Sequence, residues 1–351
     1  MNIIVSAKMR PGNFEPKFYP FIDMDIISKI YIVRKERGPD LDKVEYIVLP
    51  SICRFTFFNL IFTPFILAYQ TRKKKAKLIL SYHIVPHAFF AFFAGLITRT
   101  PFIIGQTGGK IELLCKRNSI IRTITKLILK KAAFINVPGE PSKQVWVSMG
   151  IDSPKINILH SVIDTKKFKS ANQSKEYDYI FVGALIKRKR VDLIIEAFAK
   201  VLENHPNASL LIVGDGEEKD SLELKAKELG IDQKIEFFGY TRDINSLLNK
   251  AKISVMASEV EGLPVAMMEA MACELIVIAP DVFNISQAVK HKETGFLIEE
   301  INASQLAQLL DYTLTNYDSL GYIRINARKK IIAEHSVESA VKKWRIILED
   351  F

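Results

Sequence analysis

Cysteine is scarce in this chain, which has three among 351 residues: Cys53, Cys115 and Cys273. Their number is odd and they lie far apart, which excludes a disulfide scaffold and the spacings typical of zinc or redox sites. The apolar run that begins at Met1 is too short for a signal peptide. We therefore expect a protein of the reducing cytoplasm.

Low-complexity segments and solenoid repeats are also absent. Hydrophobic residues make up 48% of the chain and charged residues 25%, which is the balance of a globular protein. This composition excludes disordered and collagen-like chains. The length is sufficient for two domains, each with its own core.

Acidic residues are few in the first half of the chain. Residues 1–165 contain 24 Lys and Arg against 11 Asp and Glu, whereas residues 166–351 contain 25 against 28. Such an asymmetry indicates an anionic partner for the first half, either nucleic acid or an anionic membrane surface. No aromatic-interleaved nucleic-acid motif accompanies the basic residues, so we expect the membrane surface and no nucleic acid.

Two long uncharged stretches, 55–71 and 78–98, are candidates for membrane spans, which need about 20 predominantly apolar residues. The second carries a proline and two histidines near its middle, so we expect a strand, a turn and a helix of a globular domain. The first leaves two interpretations open. It is either a buried helix or an interfacial helix beside the basic cluster 72–75, since its five phenylalanines exceed what one core face requires.

Apolar strand patterns alternate with helical patterns along both halves, which predicts parallel sheets covered by helices on both faces. We expect two doubly wound α/β domains that face each other across a cleft, over 1–165 and 166–335, with the polar segment 166–176 as a linker. We expect the last helix, 336–351, to pack back on the first domain. The predicted strands are 2–7, 29–34, 44–50, 76–83, 102–106, 132–138, 156–161, 177–183, 208–214, 235–239, 252–258, 275–279 and 295–299.

The segment 258–272 carries the most specific chemical pattern. It follows an apolar strand, so Glu261 lies in the loop at the strand's carboxyl end, and Pro264 suits the first turn of the next helix. Free amides around 262–265 and the helix dipole form an anion site, while Glu269 can bind two adjacent hydroxyls one turn later. This combination suits a sugar joined to a nucleoside through a diphosphate. The alternative is that both glutamates are solvated surface residues, which would not require the Gly-Leu-Pro turn or the apolar helix.

The letters EGLPVAMMEAMA, from Glu261 to Ala272, resemble the motif of family 4 glycosyltransferases, which have the GT-B fold. The resemblance is clear over 177–300, looser over 76–168 and slight over 1–75. It implies two Rossmann-like domains, the first for the acceptor and the second for a nucleotide-sugar donor such as a UDP- or GDP-sugar. It also implies transfer with retention of configuration and with neither a metal nor another cofactor.

The resemblance assigns roles to several residues of the second half. Glu269 should hold the donor ribose, Glu261 should face the donor sugar, and Lys189 should grip the diphosphate. The alternative for the run 187–190 is a solvated group of charges, but its position between a strand and a helix favours contact with phosphate. The other expected donor-site residues are Gly183, Arg188, Gly214, Gly216, Tyr240, Gly262, Leu263 and Pro264.

In the first half, His83 follows a predicted strand and resembles the family histidine that approaches the donor sugar. His87 competes for that role, and a lone histidine is often structural. Gly108 and Gly109, after the next strand, resemble acceptor-side positions.

The chain departs from the family pattern at several places. Ala184 stands where the family has an arginine, so we expect Arg188 or Arg190 to replace a phosphate contact, and Ser161 and Glu274 stand at other family positions. No Asp-x-Asp follows a strand, which fits transfer without metal. We expect a retaining hexosyltransferase that glycosylates a glycan or lipid-linked acceptor in surface-polysaccharide assembly, peripheral on the inner face of the membrane. The alternatives are a non-catalytic GT-B scaffold or partner subunit and, less favoured, a sugar-nucleotide epimerase.

Overall fold

A computed structural model describes residues 1–7, 14–106, 111, 114–115, 117–171, 173–282, 284–349 and 351. The chain forms two compact units. The first comprises Met1–Val162 together with Val337–Phe351, and the second comprises Ile163–Ser336.

The first unit is built on a seven-stranded sheet in the order β3-β2-β1-β4-β5-β6-β7, in which the neighbours pair in parallel. Parallel neighbours need crossover connections, and the helices between the strands supply them. The strands are β1 (Asn2–Ser6), β2 (Lys29–Arg34), β3 (Val44–Val48), β4 (Ala76–Tyr82), β5 (Phe102–Gln106), β6 (Phe134–Val137) and β7 (Ile156–Ile158).

Helices cover both faces of this sheet. They are α1 (Glu15–Ile22), α2 (Thr56–Lys73), α3 (Phe89–Thr98), α4 (Ser119–Lys131) and α5 (Glu140–Ser148). The helices α2 to α5 share one hydrophobic core with β1 residue Ile4, while α1 shares the opposite core with Ile3 and Val5. This alternation along β1 is why its apolar letters run without interruption.

The two uncharged stretches form different structures. Residues 78–98 form most of β4, a turn at Ile84–Ala88 and α3, which confirms the strand, turn and helix predicted for them. Residues 55–71 lie mainly in α2, which buries one side, including Thr63 and Leu67, and exposes the other. The interpretation as a buried helix therefore holds for one side of α2 only. Within the described part of the chain, every helix is too short or too polar to cross a bilayer.

The second unit has a six-stranded parallel sheet in the order β10-β9-β8-β11-β12-β13. Counted from the unit's own first strand, this order is 3-2-1-4-5-6. Successive strands are added on one side of β8 up to β10 and then on its other side from β11 onward, so the switch point lies between β8 and β11. Open sheets of this kind bind ligands beside such a switch point, at the carboxyl ends of the strands. The strands are β8 (Tyr177–Val182), β9 (Leu210–Val213), β10 (Ile235–Gly239), β11 (Ala251–Val255), β12 (Ile276–Pro280) and β13 (Phe296–Ile298).

Helices also pack on both faces of this second sheet. They are α6 (Val191–Asn204), α7 (Lys219–Glu228), α8 (Ile244–Asn249), α9 (Val265–Ala272), α10 (Ile285–Ala288), α11 (Ala303–Thr315) and α12 (Gly321–His335). One core includes α6, α7 and α11, and the other includes α8, α9 and α10.

The final helix, α13 (Val337–Leu348), lies in the first unit and packs against α1. The ring centroids of Phe21 and Trp344 lie 4.6 Å apart, and both side chains are fully buried. A buried aromatic pair of this kind fastens the end of the chain to the first unit.

The described residues of the predicted linker, 166–171 and 173–176, belong to the second unit, and several of them anchor the segment there. Phe168 is buried in that unit's core. The Ala171 amide donates to the Asn249 side-chain oxygen at 2.7 Å, and the Asn249 amide donates to the Lys169 carbonyl at 3.1 Å. The largely polar composition of this segment gives no indication of these contacts.

Candidate functional site

Two loops meet at the switch point of the second sheet. Lys189 ends a 3-10 turn, Lys187–Lys189, that follows β8, and Glu261 lies in the loop after β11. Because β8 and β11 are adjacent, their carboxyl ends lie at the same place on the sheet edge. The Lys189 Nζ atom donates to Glu261 Oε1, and Arg188 Nη1 donates to the same oxygen at 3.1 Å.

Further contacts fasten these loops to each other. The Arg188 guanidinium donates to the Val260 carbonyl at 2.6 Å, and the Arg188 carbonyl accepts from the Glu259 amide at 3.1 Å. Because Arg188 contacts the neighbouring loop through both its side chain and its backbone, the positions of Lys189 and Glu261 relative to each other are fixed by the fold.

The two arginines of the run 187–190 have different partners. Arg190 pairs with Asp192 at 3.1 Å and with Glu259 at 3.2 Å, and these carboxylates raise its pKa, Asp192 most strongly. Arg188 reaches Glu261. Arg188 and Arg190 are the two residues expected to replace the phosphate contact that Ala184 cannot make. Of these two, Arg188 lies nearer to Glu261, the glutamate expected to face the sugar. The interpretation of this run as solvated charges fits the exposed Lys187, whereas Arg188, Lys189 and Arg190 each pair with a carboxylate.

The ion pair at the centre of the site is largely withdrawn from water. The side chains of Lys189 and Glu261 are 13% and 11% exposed, whereas that of Arg188 is 45% exposed. Charges interact more strongly where water is excluded. Both cations contact the same carboxylate oxygen, which concentrates positive charge on one side of Glu261.

The glycines after β9 let two loops approach closely. A Cβ atom on Gly214, which has φ +143°, would overlap the Gly183 carbonyl, and one on Gly216 would overlap the Leu185 carbonyl. The Leu185 amide donates to the Asp215 carbonyl at 2.9 Å. Gly214 and Gly216 are thus required by the fold, because they set the position of the loop that carries Lys189.

Tyr240 follows β10, the edge strand of this sheet. Its side chain is 74% exposed. From β10 to β11, the sheet edge therefore carries Tyr240, the glycine turn at 214–216, Lys189 and Glu261, in that order. The structure brings these predicted residues to one edge of one sheet.

The loop 262–264 leads into α9, which begins at Val265, so Pro264 directly precedes the first turn in which it was expected. Pro264 occupies the N-cap position, and none of the described side chains caps the helix. Pro264 is buried and Leu263 packs against the core, whereas a Cβ on Gly262 would meet no atom of the described residues within 4 Å. The loop before the helix is therefore held in the core by Leu263 and Pro264, while Gly262 leaves space beside the helix N-terminus.

Glu269 lies one turn further along α9 and is mostly buried. Burial raises the pKa of this carboxyl to about 7, and the charge of Lys167 partly opposes the shift. Among the residues that the structure describes, none donates a hydrogen bond to the Glu269 carboxylate or pairs with it. A carboxylate in this position can accept hydrogen bonds from two adjacent hydroxyls.

Ser258 is a residue that the sequence reasoning did not single out. Its side chain is fully buried where the loop after β11 begins, and its hydroxyl oxygen has no hydrogen-bond partner in the described part of the chain. A buried hydroxyl without a partner is uncommon. The available signal was a serine that ends the predicted apolar strand 252–258.

In the first unit, the two candidate histidines have different surroundings. His87 Nδ1 lies 2.9 Å from the Ser6 hydroxyl, and its ring packs edge-on against Phe90. His83 lies directly after β4, with φ +71°. Its pKa is lowered, chiefly because the ring loses part of its contact with water and to a smaller extent because of the charge of Lys17. Gly108 and Gly109 lie outside the described residues.

The second unit, which holds this cluster, is also the part of the chain that a family model matches. Residues 162–330 match the family described as glycosyl transferases group 1. An uncharacterised glycosyltransferase of Haemophilus influenzae is 28% identical over 240 residues, which cover 66% of this chain and 65% of that protein, just under two thirds.

Longer similarities extend over both units. The UDP-Gal:alpha-D-GlcNAc-diphosphoundecaprenol alpha-1,3-galactosyltransferase of Escherichia coli is 24% identical over 345 residues, which cover 92% of this chain and 89% of that protein. The crystal structure of Anabaena HepE in complex with UDP has a TM-score of 0.80 at 16% identity and covers 100% of both chains. These findings confirm the predicted fold class, two Rossmann-like domains of the GT-B type.

Proposed function

Because this chain is a homologue of glycosyltransferases, we propose that it is a retaining hexosyltransferase of family 4. It would move a sugar from a nucleotide-sugar to a hydroxyl of a glycan or lipid-linked acceptor. The observation that carries this proposal is the convergence of Lys189, Arg188 and Glu261 beside the uncapped N-terminus of α9. Fixed cations and free backbone amides at one sheet edge suit a diphosphate.

In the proposed complex, the diphosphate competes with Glu261 for the two cations. Lys189 and Arg188 both contact Oε1 of that carboxylate, so a bound phosphate oxygen near them would take over part of their hydrogen bonding. Glu261 would then be free to accept hydrogen bonds from hydroxyls of the donor sugar. The same residues thus bind the diphosphate and orient the sugar.

During transfer, the bond between the anomeric carbon and the diphosphate oxygen breaks while the acceptor oxygen attacks from the same face. The departing diphosphate takes the acceptor proton, so no protein nucleophile is needed. Negative charge develops on the diphosphate, where Lys189 and Arg188 would stabilise it. This positive charge supports the proposal that transfer needs no metal.

Glu269 would hold the donor ribose through its two hydroxyls, and Tyr240 would border the base. His83 would be a catalytic residue that approaches the donor sugar, and Gly108 and Gly109 would act on the acceptor side. The names of two similar proteins support the choice of substrates: HepE binds UDP, and the Escherichia coli relative transfers galactose to a sugar linked to diphosphoundecaprenol. We therefore propose a role in surface-polysaccharide assembly at the cytoplasmic face of the membrane.

The proposal is tested by incubating the purified chain with labelled UDP-, GDP- and ADP-sugars, in EDTA, with an undecaprenyl-diphosphate-linked sugar as acceptor. Transfer from one donor, with the anomeric configuration of the donor kept in the product, supports it. Inversion of configuration contradicts the retaining mechanism. Binding of no nucleotide and transfer from no donor would favour a non-catalytic scaffold or partner subunit.

A further inference from the structure

One side of the first unit exposes a row of large apolar side chains on α2. Phe57, Ile61, Phe65 and Tyr69 follow each other at intervals of four residues, which places them along one stripe of the helix. Phe57 is 68% exposed and Phe65 is 62% exposed. Because the opposite side of α2 is already buried in the core, this stripe is not needed to fold the unit.

The neighbouring helices extend the stripe. The helices α2, α3 and α4 pack on the same face of the sheet, and Arg72 Nη2 donates to the Ile97 carbonyl at 2.7 Å, which ties the ends of α2 and α3 together. We call the outward sides of these three helices the aromatic face. Its other exposed apolar residues are Phe62, Phe93, Leu96, Ile97, Ile120, Ile124 and Leu127.

The charges around this face have one sign. From residue 46 to residue 139 the sequence contains 14 Lys and Arg but a single acidic residue, Glu112. None of the three helices contains Asp or Glu, and Arg72, Lys73, Arg122 and Lys130 are exposed on them. The excess positive charge of the first half of the chain is therefore concentrated in the segment that forms the aromatic face.

Along α4 exposed apolar residues and exposed cations lie next to each other. Ile120, Ile124 and Leu127 make one exposed apolar row, Lys131 continues this row four residues after Leu127, and Lys130 lies beside it on the helix. A helix that rests on a lipid surface needs this arrangement, because apolar side chains enter the acyl boundary while cations meet the headgroup phosphates.

We infer that the aromatic face docks on an anionic lipid bilayer and lies in the plane of its surface. A second copy of the chain is a poorer occupant, because a symmetric contact through this face would oppose cations with cations and offers no acidic group on α2, α3 or α4 to pair with them. The positive charge complements anionic lipid headgroups instead. This inference does not rest on the proposed transferase activity.

The test is sedimentation of the full-length chain with vesicles of phosphatidylcholine alone or of phosphatidylcholine mixed with phosphatidylglycerol. We expect binding to the mixed vesicles, weak binding to phosphatidylcholine, and loss of binding at high salt. The double variant Phe57→Gln/Phe65→Gln should lose most of the binding. In Lys130→Gln/Lys131→Gln, each charge removed should lower the partition coefficient about fivefold.

Ile346→Gln is the matched control. Ile346 is 68% exposed, like Phe57, but lies on α13, which packs on the other face of the same sheet. Ile346→Gln should bind vesicles like the unchanged protein, and thermal unfolding should show that all variants remain folded. Nucleotide titration of the same variants separates a failure of this inference from a failure of the proposed function.

Three results would overturn the inference. The first is equal binding to both kinds of vesicle, or to neither. The second is unchanged vesicle binding by the Phe57/Phe65 double variant. The third is light scattering that shows a dimer which dissociates in that double variant, since the face would then be an interface between copies of the chain.

Discussion

The Lys189 ammonium contacts the Glu261 carboxylate, although 72 residues separate them in the chain. The contact exists because β8 and β11 are neighbours in the sheet and both loops leave it at its carboxyl edge. The order of the strands therefore brings two charged residues that are distant in the sequence into one site. It also implies that the two residues can be separated experimentally into a binding role and a transfer role.

Glu261→Gln should separate these roles. The substitution removes the carboxylate that competes with a diphosphate for Lys189 and Arg188, so nucleotide diphosphate binding should be unchanged or tighter. Sugar transfer should fall by about 100-fold, as expected when an oriented charged group is removed from a site of transfer. Calorimetry and initial rates measure the two effects, and a parallel loss of both would contradict the assignment.

Lys189→Ala should weaken nucleotide diphosphate binding by about 10- to 100-fold, the range expected for the loss of a hydrogen bond to a charged group. Lys187→Ala is the matched control, because it removes the same charge two residues away from an exposed side chain. The control should bind nucleotide like the unchanged protein. Equal losses in both variants would indicate a general electrostatic effect and not a contact of Lys189.

Glu269 predicts a pH dependence of stability. Its carboxyl has a pKa of about 7 in the folded chain, above its ordinary value of 4.5, because of burial. The folded state therefore holds more protons between these values, and the free energy of unfolding falls as the pH rises from about 4.5 to 7. Glu269→Gln should remove this slope and stabilise the nucleotide-free protein at pH 8 by on the order of 2 kcal/mol.

The same carboxyl predicts a pH dependence of binding. Ribose hydroxyls donate to the ionised form, so nucleotide affinity should fall as the pH drops from 7 to 5, and Glu269→Gln should reduce both the affinity and this dependence. Glu228→Gln, at an exposed position of α7, serves as the control for both experiments. A Glu269→Gln variant that binds nucleotide normally at pH 7.5 would remove Glu269 from the site.

Two glycines of the site should respond differently to alanine. Gly216→Ala forces a Cβ atom into the Leu185 carbonyl, so the free energy of unfolding should drop by about 2 kcal/mol or more. In Gly262→Ala the added Cβ atom has no described protein atom within 4 Å, so the free energy of unfolding should not change. Nucleotide affinity should fall, because the proposed diphosphate approaches the backbone at this position. Chemical denaturation and nucleotide titration of both variants test the pair.

The sequence predicts the strands of both sheets well, because buried parallel strands are short apolar runs bounded by turn residues. The runs 29–34, 102–106 and 235–239 coincide with β2, β5 and β10. Most of the other predicted runs extend one to three residues into the following loop, as for β7, where the apolar Leu159 follows the last paired residue, whereas the run 275–279 ends one residue before β12.

Other features could not be predicted because they depend on tertiary packing. The phenylalanines of α2 predict an apolar helix, but the side of it that faces water depends on the position of α3. The pairing of Lys189 with Glu261 depends on strand order. The anchoring of 166–176 through Phe168 and Asn249 also depends on contacts distant in the sequence. Periodicity within one segment contains none of this information.

The central claim is that the carboxyl edge of the second sheet binds a nucleotide diphosphate. Calorimetric titration of the purified chain with UDP, GDP and ADP, in EDTA, tests it most directly. The account predicts saturable binding of one of these nucleotides, weakened by Lys189→Ala and by Glu269→Gln but not by Lys187→Ala. Binding of none of the three, in a protein shown to be folded, would contradict it.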